Sequence, residues 1–522
     1  MSGHLGELVA LLEARGMLHA VVPAGDGASP ANPAITAVTV DSRAVTPGVL
    51  FAAARGERAN GHAYLADAVA RSAAAVLVES PVEGLAVPQL VVAATRPAAA
   101  LAAAWSMGFP SRHLGVVGVT GTDGKTTTGY LVRAILEASD RPAGLAGTVD
   151  VIVGGAALGN PGRTTTPEAP ELQALLAAMV AAGDGWAIIE ASSHGLALDR
   201  VGEVAWDVAV LTNLTEEHLE FHHTIEAYGA AKRRLFEALA VSDANPEKGF
   251  GKTAVLNVDD DAAVSFATAA EAAGAAVIGY GAAPDAAVHL TGVRQDTKRL
   301  HVGVRTPRWH GELALHLAGR FNAHNALAAI ACGEALDLEP AAIRAGLEAV
   351  TSVPGRMERI EAGQPFVVVV DYAHTADALA KVLDELAPVA AGGGGGLIAV
   401  FGSAGDRDRV KRPAMGRVAG TRCRLVVVTD EDPRSEDRAA ILDAIALGAE
   451  GAGKRRGRDL LLLPDRPEAI RTAFAAARPG DVVLLAGKGH EKTIEMADDI
   501  IAWAEAAEAR RALAEAGWSA PR

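Results

Sequence analysis

The 522-residue sequence predicts an α/β fold made of parallel sheets and divided among three domains. The stretch Leu114–Ala138 reads as an apolar, β-branched run, a glycine-rich turn and then a helical segment, which is the opening of a βα unit. From Val353 onward, short apolar runs each end in a polar cluster, the pattern of an open parallel sheet with ligands at its carboxyl edge. The length also exceeds what one hydrophobic core can fill. The expected division is a small α/β N-terminal domain over 1–112, a central phosphate-loop domain with a parallel sheet over 113–350, and a C-terminal Rossmann-like open sheet over 351–522.

Composition narrows the class. Hydrophobic residues make up 50% and aromatic residues only 4%, so the cores are aliphatic and Ala-rich. A net charge of −15 argues against a general nucleic-acid binder. Cys332 and Cys423 offer neither a disulfide framework nor metal-ligand spacing, which suits a reducing compartment. The start, MSGHLGELVALLEARG, lacks a signal-peptide layout, and no apolar run reaches the roughly 18 residues of a membrane span. A cytoplasmic, soluble protein is expected, with no membrane span and no nucleic-acid partner.

The N-terminal domain is expected to hold strands at Ile35–Val40, Ala75–Glu79 and Leu90–Ala93 and a helix over Tyr64–Ser72. Asp41-Ser42-Arg43 and Asn60-Gly61-His62 read as ordinary turn chemistry from the residues alone. The Pro- and Arg-flanked stretch around Ser111 reads as a linker. Val116, Val117 and Val119 then lead into Gly121, Gly124 and Lys125. In such a loop, backbone N–H groups and the helix dipole hold phosphate oxygens, and the lysine neutralises the terminal phosphates. The Thr126 hydroxyl is placed to ligate Mg²⁺; a bare strand-to-helix turn is the alternative.

A polar turn, Arg163-Thr164-Thr165-Thr166-Pro167-Glu168, precedes a helix. The apolar strand Trp186–Glu190 ends in a carboxylate, a good position for a magnesium ligand beside a phosphate loop. Val208–Leu211 runs on to His218, which could be structural or a ligand. Lys232 lies on a helix over Tyr228–Phe236, where it could be a solvated surface charge. Residues 281–316 alternate as strands of no evident role, and Asn322 could cap the Ala-rich helix that follows.

In the last third, Phe366–Val370 ends in Asp371-Tyr372-Ala373-His374, and Leu397–Phe401 in a cluster reaching Arg407. Leu425–Val428 ends in Thr429-Asp430-Glu431-Asp432-Pro433-Arg434, and Val482–Leu485 in Ala486-Gly487-Lys488-Gly489-His490-Glu491. The Gly392–Gly396 run reads as a flexible loop.

Together these blocks resemble the Mur ligase family over nearly the whole chain. TGTDGKTT at 120–127 is similar to the family's TGTNGKTT loop, with Asp123 where Asn is usual. DSR at 41–43, TTP at 165–167, EASSHGL at 190–196, PGRME at 354–358, GDRD at 405–408 and GKGHE at 487–491 match family motifs. The branch resembled is the tripeptide synthetases. The resemblance implies that ATP is held by Gly121, Thr122, Asp123, Gly124, Lys125, Thr126 and Thr127, with His324 and Asn325 on the adenine side and Arg356 and Asp371 contributing. It implies that Ser42, Arg43, Asn60 and His62 hold the uridine diphosphate, and that Thr165, Thr166, Ser192 and Arg200 hold the muramoyl peptide. Mg²⁺ would be bound by Thr126, Glu190, His218 and a carbamylated Lys232. Lys125, Lys232, His218, Glu190, Arg356 and His374 would form the catalytic set, and Arg407, Asp432, Arg434, Gly487 and Glu491 the amino-acid site.

The expected reaction is ATP-dependent addition of meso-diaminopimelate to UDP-N-acetylmuramoyl-L-alanyl-D-glutamate through an acyl phosphate, by a monomer whose domains close on the substrates. Joining two anions demands concentrated positive charge, each neutralised close pair being worth about 4 kcal/mol at an effective dielectric near 20. No side-chain nucleophile is required. Ornithine or lysine is the alternative amine, because Asp432 stands where the family's DNPR motif has Asn. Asp432 could hold a terminal ammonium or pair with Arg434. A folylpolyglutamate-synthetase-like ligase and a nucleotide-dependent switch are more distant alternatives.

Overall fold

The computed structural model describes residues 3–25, 32–56, 60–160, 164–240, 251–296 and 298–518. Arg163, which belongs to the polar turn before TTP, lies outside the described residues. By its contacts the chain forms two compact units: Met1–His289 with Arg305–Trp309 and His324–Gly346, and Leu290–Val304 with His310–Ala323 and Leu347–Arg522.

The first unit contains two larger sheets and a short antiparallel pair, Gly3–His4 with Ala34–Ile35. A five-stranded sheet runs in the order Leu18–Val22, Gln89–Val92, Ala75–Val78, Val49–Ala52, Ala37–Thr39, parallel except where Leu18–Val22 joins. The strands expected at Ala75–Glu79 and Leu90–Ala93 are present, but Ile35–Val40 is split into Ala34–Ile35, which pairs with Gly3–His4, and Ala37–Thr39; the expected Tyr64–Ser72 helix is a 3₁₀ turn, Gly61–Tyr64, running into the helix Leu65–Ala70. The stretch around Ser111 is not a loose linker. It forms a 3₁₀ turn, Pro110–His113, in which Ser111 is fully buried and its hydroxyl accepts from the Ala205 amide at 3.0 Å.

The second sheet of this unit carries Ala143–Ala146, Trp186–Glu190, Gly115–Thr120, Val208–Leu211, Thr253–Asn257 and Ala276–Gly281 side by side and all parallel. The four strands Gly115–Thr120, Trp186–Glu190, Val208–Leu211 and Thr253–Asn257 are buried on both faces, as their apolar composition requires, whereas Ala276–Gly281 is exposed at its start. Gly115–Thr120 lies between Trp186–Glu190 and Val208–Leu211, with Glu190 level with Val119 and Leu211 level with Thr120. The carboxyl ends of these strands therefore open onto one edge.

In the second unit a six-stranded sheet runs Glu358–Ile360, Val367–Asp371, Val482–Ala486, Leu397–Phe401, Leu425–Val428, Leu460–Leu462. The four strands expected from the sequence are adjacent and parallel, so their polar ends share an edge. Val369, Phe401, Val428 and Leu484 face one core; Val370, Val400, Val427 and Leu485 face the other. The Val288–Gln295, Leu300–Arg305 and His310–Leu315 strands account for the alternating stretch between 281 and 316.

Gly393 and Gly395 pack against the backbone of Gly480, which corrects the reading of the whole 392–396 run as a flexible loop, while Gly392 and Gly394 face open space. A Cβ on Gly395 would lie 2.3 Å from the Gly480 carbonyl carbon, and the Gly396 amide donates to Asp481 Oδ1 at 2.8 Å. Gly395→Ala is expected to lower stability by about 1–3 kcal/mol, read as a lower urea midpoint; an unchanged midpoint would contradict this contact.

Candidate active site

The loop after Gly115–Thr120 closes on the first turn of the helix Lys125–Glu137. Its glycines are fixed by contact. A Cβ on Gly121 would stand 1.8 Å from Thr212 Oγ1, and one on Gly124 would stand 2.4 Å from Asn325 Oδ1. The loop is braced by Thr212 Oγ1, which donates to the Asp123 carbonyl at 2.6 Å, and by Asn213 Oδ1, which accepts from the Asp123 amide at 2.9 Å. Asp123 itself is exposed. Thr122 Oγ1 accepts from the Thr215 amide at 2.9 Å, while Thr127 is buried.

Two lysines converge on this loop. Lys125 Nζ donates to the Gly121 and Thr122 carbonyls at 2.9 and 2.8 Å. Lys232 Nζ, fully buried, donates to the same Gly121 oxygen at 2.6 Å and lies 4.4 Å from the Tyr228 ring centre. Burial, reinforced by the Lys125 charge, holds the Lys232 amine well below its usual pKa. It is not a solvated surface charge.

Glu190 is fully buried beside the loop. Its Oε2 accepts from Thr126 Oγ1 at 3.0 Å and Thr148 Oγ1 at 2.9 Å, and its Oε1 from the Thr148 amide at 2.9 Å. A side chain at Gly147 would collide with Glu190 Oε1 at 2.2 Å. Thr126 and Glu190 are thus brought together as expected, a hard oxygen pair suited to Mg²⁺. His218 is placed otherwise. It sits with His194 at 4.8 Å between ring centres and near the Glu220 carboxylate at 3.4 Å. Among the described residues no group of three or more His, Cys, Asp or Glu is arranged to hold a metal ion.

The TTP turn leans on the same strand end. Thr166 is fully buried, and its hydroxyl donates to the Glu190 carbonyl at 2.7 Å, accepts from the Ser192 amide at 2.9 Å and lies 2.9 Å from Ser192 Oγ. Thr165 Oγ1 accepts from Thr148 Oγ1 at 3.1 Å. Arg200 reaches the Thr166 carbonyl at 3.2 Å and Glu168 at 3.0 Å. Thr166 therefore positions Ser192 rather than presenting its own hydroxyl. His324 Nε2 pairs with Asp259 Oδ2 at 2.9 Å, and Asn325 Oδ1 accepts from Thr128 Oγ1 at 3.4 Å. Asn322 starts its helix and donates to the Ala318 carbonyl at 2.6 Å.

In the N-terminal sheet, Ser42 is buried, while Arg43 turns back onto Asp41 at 2.7 Å. Asn60 Oδ1 accepts from the His62 amide at 3.1 Å, and His62 Nε2 accepts from the Glu79 amide at 3.1 Å. His62 Nδ1 must then carry the proton that points to Asn60.

The second unit gathers two clusters at its sheet edge. Around Tyr372 lie the Arg356 guanidinium at 5.1 Å from the ring centre, His374 at 4.7 Å and His490 at 4.9 Å. The Asp371 carboxylate staples this loop, accepting from the Met357 and Ala373 amides at 2.8 Å each. Burial, aided by Arg356, Lys488 and Lys492, pushes His490 down to about 3, so it is neutral at physiological pH. In the second cluster Arg434 Nε donates to Glu495 Oε2 at 2.7 Å and Nη1 to the Gly405 carbonyl at 2.9 Å. Lys488, fully buried, donates to Asp432 Oδ1 at 2.8 Å and also pairs with Glu491. Arg407 is exposed, and Gly487 approaches Glu431, where a Cβ would meet Oε2 at 2.9 Å.

Family models match the chain in three places: the Mur ligase catalytic-domain model over 34–107, the Mur ligase middle domain over 119–333, and the Mur ligase glutamate ligase domain over 355–489. A UDP-N-acetylmuramyl-tripeptide synthetase from Roseiflexus sp. (strain RS-1) is 51% identical over 94% of this chain and 96% of its own. The chain belongs to the Mur ligase family. A UDP-N-acetylmuramoyl-L-alanyl-D-glutamate--2,6-diaminopimelate ligase from Geobacter metallireducens is 42% identical to this Mur ligase, over 86% of this chain and 88% of its own. A solved structure of a ligase of that same name has a TM-score of 0.65 at 29% identity and covers 93% of this chain and 96% of its own. This Mur ligase is an ATP-dependent amide ligase of peptidoglycan precursor synthesis. No helix among its described residues is long and apolar enough to cross a membrane.

The motifs did not point to four residues of this site: Thr148, Glu431, Lys488 and Glu495. Glu431 and Lys488 lie inside recognised motifs and could have been read from them. Thr148 and Glu495 carry no motif and are joined to Glu190 and Arg434 only by the fold.

Proposed function

We propose that this Mur ligase adds meso-diaminopimelate to UDP-N-acetylmuramoyl-L-alanyl-D-glutamate, with ATP and Mg²⁺, in the cytoplasm and as a monomer. The residue matches of the family models support domain boundaries near 112 and 350. The observation that carries the phosphoryl-transfer assignment is the shared Gly121 carbonyl, where Lys125 and buried Lys232 meet beside the Thr126–Glu190 pair. Lys125 would leave the loop carbonyls for the terminal phosphates of ATP. Thr126 and Glu190 would hold Mg²⁺, with His218 turned in from its place beside His194 and Lys232 as a carbamate completing the set, and the ion would supply positive charge against the phosphate oxygens. A neutral lysine amine is the form that takes up carbon dioxide, so the depressed Lys232 pKa supports that modification.

The reaction balances without a protein nucleophile. The D-glutamyl carboxylate oxygen takes the γ-phosphoryl group, the amine attacks the acyl carbon, and phosphate leaves carrying that oxygen. The incoming ammonium must lose a proton before it attacks. Ser42, Arg43, Asn60 and His62 are the proposed uridine diphosphate contacts, and Thr165, Ser192 and Arg200 serve the muramoyl peptide, with Thr166 holding Ser192 in place. Arg356 and His374 are the proposed catalytic side chains of the second unit's edge, with Asp371 positioning their loop, and His324 and Asn325 serve the adenine side.

For the amine, Arg434 is the deciding feature. Its guanidinium is fixed by Glu495 and Gly405 at the edge, with Arg407, Gly487 and Glu491 in neighbouring loops. A fixed guanidinium suits a distal carboxylate, which diaminopimelate has and lysine and ornithine lack. The relative from Geobacter metallireducens, named as a diaminopimelate ligase, supports this choice. kcat/KM measured for diaminopimelate, lysine and ornithine side by side is expected to favour diaminopimelate by at least tenfold. A tenfold preference for either plain diamine would overturn the choice.

A further inference from the structure

The amino-acid edge contains an acidic residue, Asp432, where a bound distal carboxylate would be repelled. The fold answers that charge from within. Lys488 is buried, and its Nζ lies 2.8 Å from Asp432 Oδ1, which also accepts from the Glu495 amide at 2.9 Å. The Asp432 oxygen facing Arg434 stands 3.9 Å from Nη2, a long contact, whereas Arg434 is held closely by Glu495 at 2.7 Å. The acid at 432 is therefore paired chiefly with Lys488, not with Arg434, and needs no ligand ammonium to satisfy it. A buried ammonium is tolerated only when paired, so Lys488 and Asp432 hold one another in place.

We propose that Lys488 is a specificity-determining positioning residue: as the counter-ion of Asp432 and Glu491 it sets the charge of the diamino-acid site, and so its acceptance of a distal carboxylate. The proposal rests on Arg434 and Glu491 lining the site for the incoming amine. Lys488 and Arg434 are positive and Asp432, Glu491 and Glu495 negative, which leaves the cluster one charge negative. Removing the Lys488 charge makes it more negative, which repels a second carboxylate and attracts a lone ammonium. Removing the Asp432 charge does the reverse.

The test is the ratio of kcat/KM for meso-diaminopimelate to that for lysine, in the full-length enzyme with saturating ATP and UDP-N-acetylmuramoyl dipeptide. Lys488→Met is expected to lower the ratio at least tenfold, Asp432→Asn to raise it, and Lys488→Met/Asp432→Asn to return it to within threefold of wild type. The double variant also guards against a misfolded single variant, since it leaves no unpaired charge at 432. Equal losses for both amines with no recovery in the double variant would overturn the proposal and make Lys488 a purely structural ion. A wild-type preference for lysine would instead sink the diaminopimelate reading, while the order of the three ratios would still decide the role of Lys488.

Discussion

Lys125→Ala is expected to lower kcat by about 10³-fold and to raise KM for ATP, with little change in stability. The side chain donates to two loop carbonyls, one of which keeps a donor from Lys232, so losing these bonds costs the folded state about 1 kcal/mol. The transition state loses far more, because the transferring phosphoryl group concentrates charge where this ammonium can reach. Retention of activity within tenfold would remove the phosphate-loop assignment. A matched fall in thermal midpoint would show that the loop had collapsed rather than lost a charge.

Lys232→Ala is expected to cost about 10²-fold in kcat, with partial rescue by formate or acetate. Burial disfavours the charged form of the Lys232 amine, and the Lys125 ammonium on the same carbonyl oxygen disfavours it further. A neutral Lys232 amine that took up carbon dioxide and released a proton would become a carbamate, an anion at the phosphate loop. A small carboxylate entering the space left by the deleted side chain replaces that anion. Wild-type activity in the variant, together with no added carbon dioxide on Lys232 in a bicarbonate-grown crystal, would remove the carbamate.

Much of the frame was legible because it depends on local pattern. Trp186–Glu190, Val208–Leu211, Leu397–Phe401 and Leu425–Val428 occupy the residues expected, since strands buried on both faces must be continuously apolar. Leu460–Leu462 escaped notice because three leucines are too short a run to separate from a loop. Glycines were harder to read. The 392–396 run has the composition of a linker, and only the backbone of Gly480, far along the chain, shows why side chains are excluded at Gly393 and Gly395.

The site divides in the same way. Loop, strand-end acid and buried lysine were visible as motifs, but their partners were not. Asp432 reads as a misplaced charge until Lys488, 56 residues later, is seen beside it. Thr166 reads as a substrate contact until its hydroxyl is found beneath Ser192. In each case a residue type was legible and its hydrogen-bond partner was a product of tertiary packing.

Ligation through an acyl phosphate is tested most directly by the phosphate released from ATP when the UDP-N-acetylmuramoyl dipeptide carries ¹⁸O in its D-glutamyl carboxylate. Release is expected to require both the dipeptide and diaminopimelate, and each phosphate is expected to carry one labelled oxygen. Release that is indifferent to either substrate, or phosphate without label, would contradict ligation through an acyl phosphate at this site.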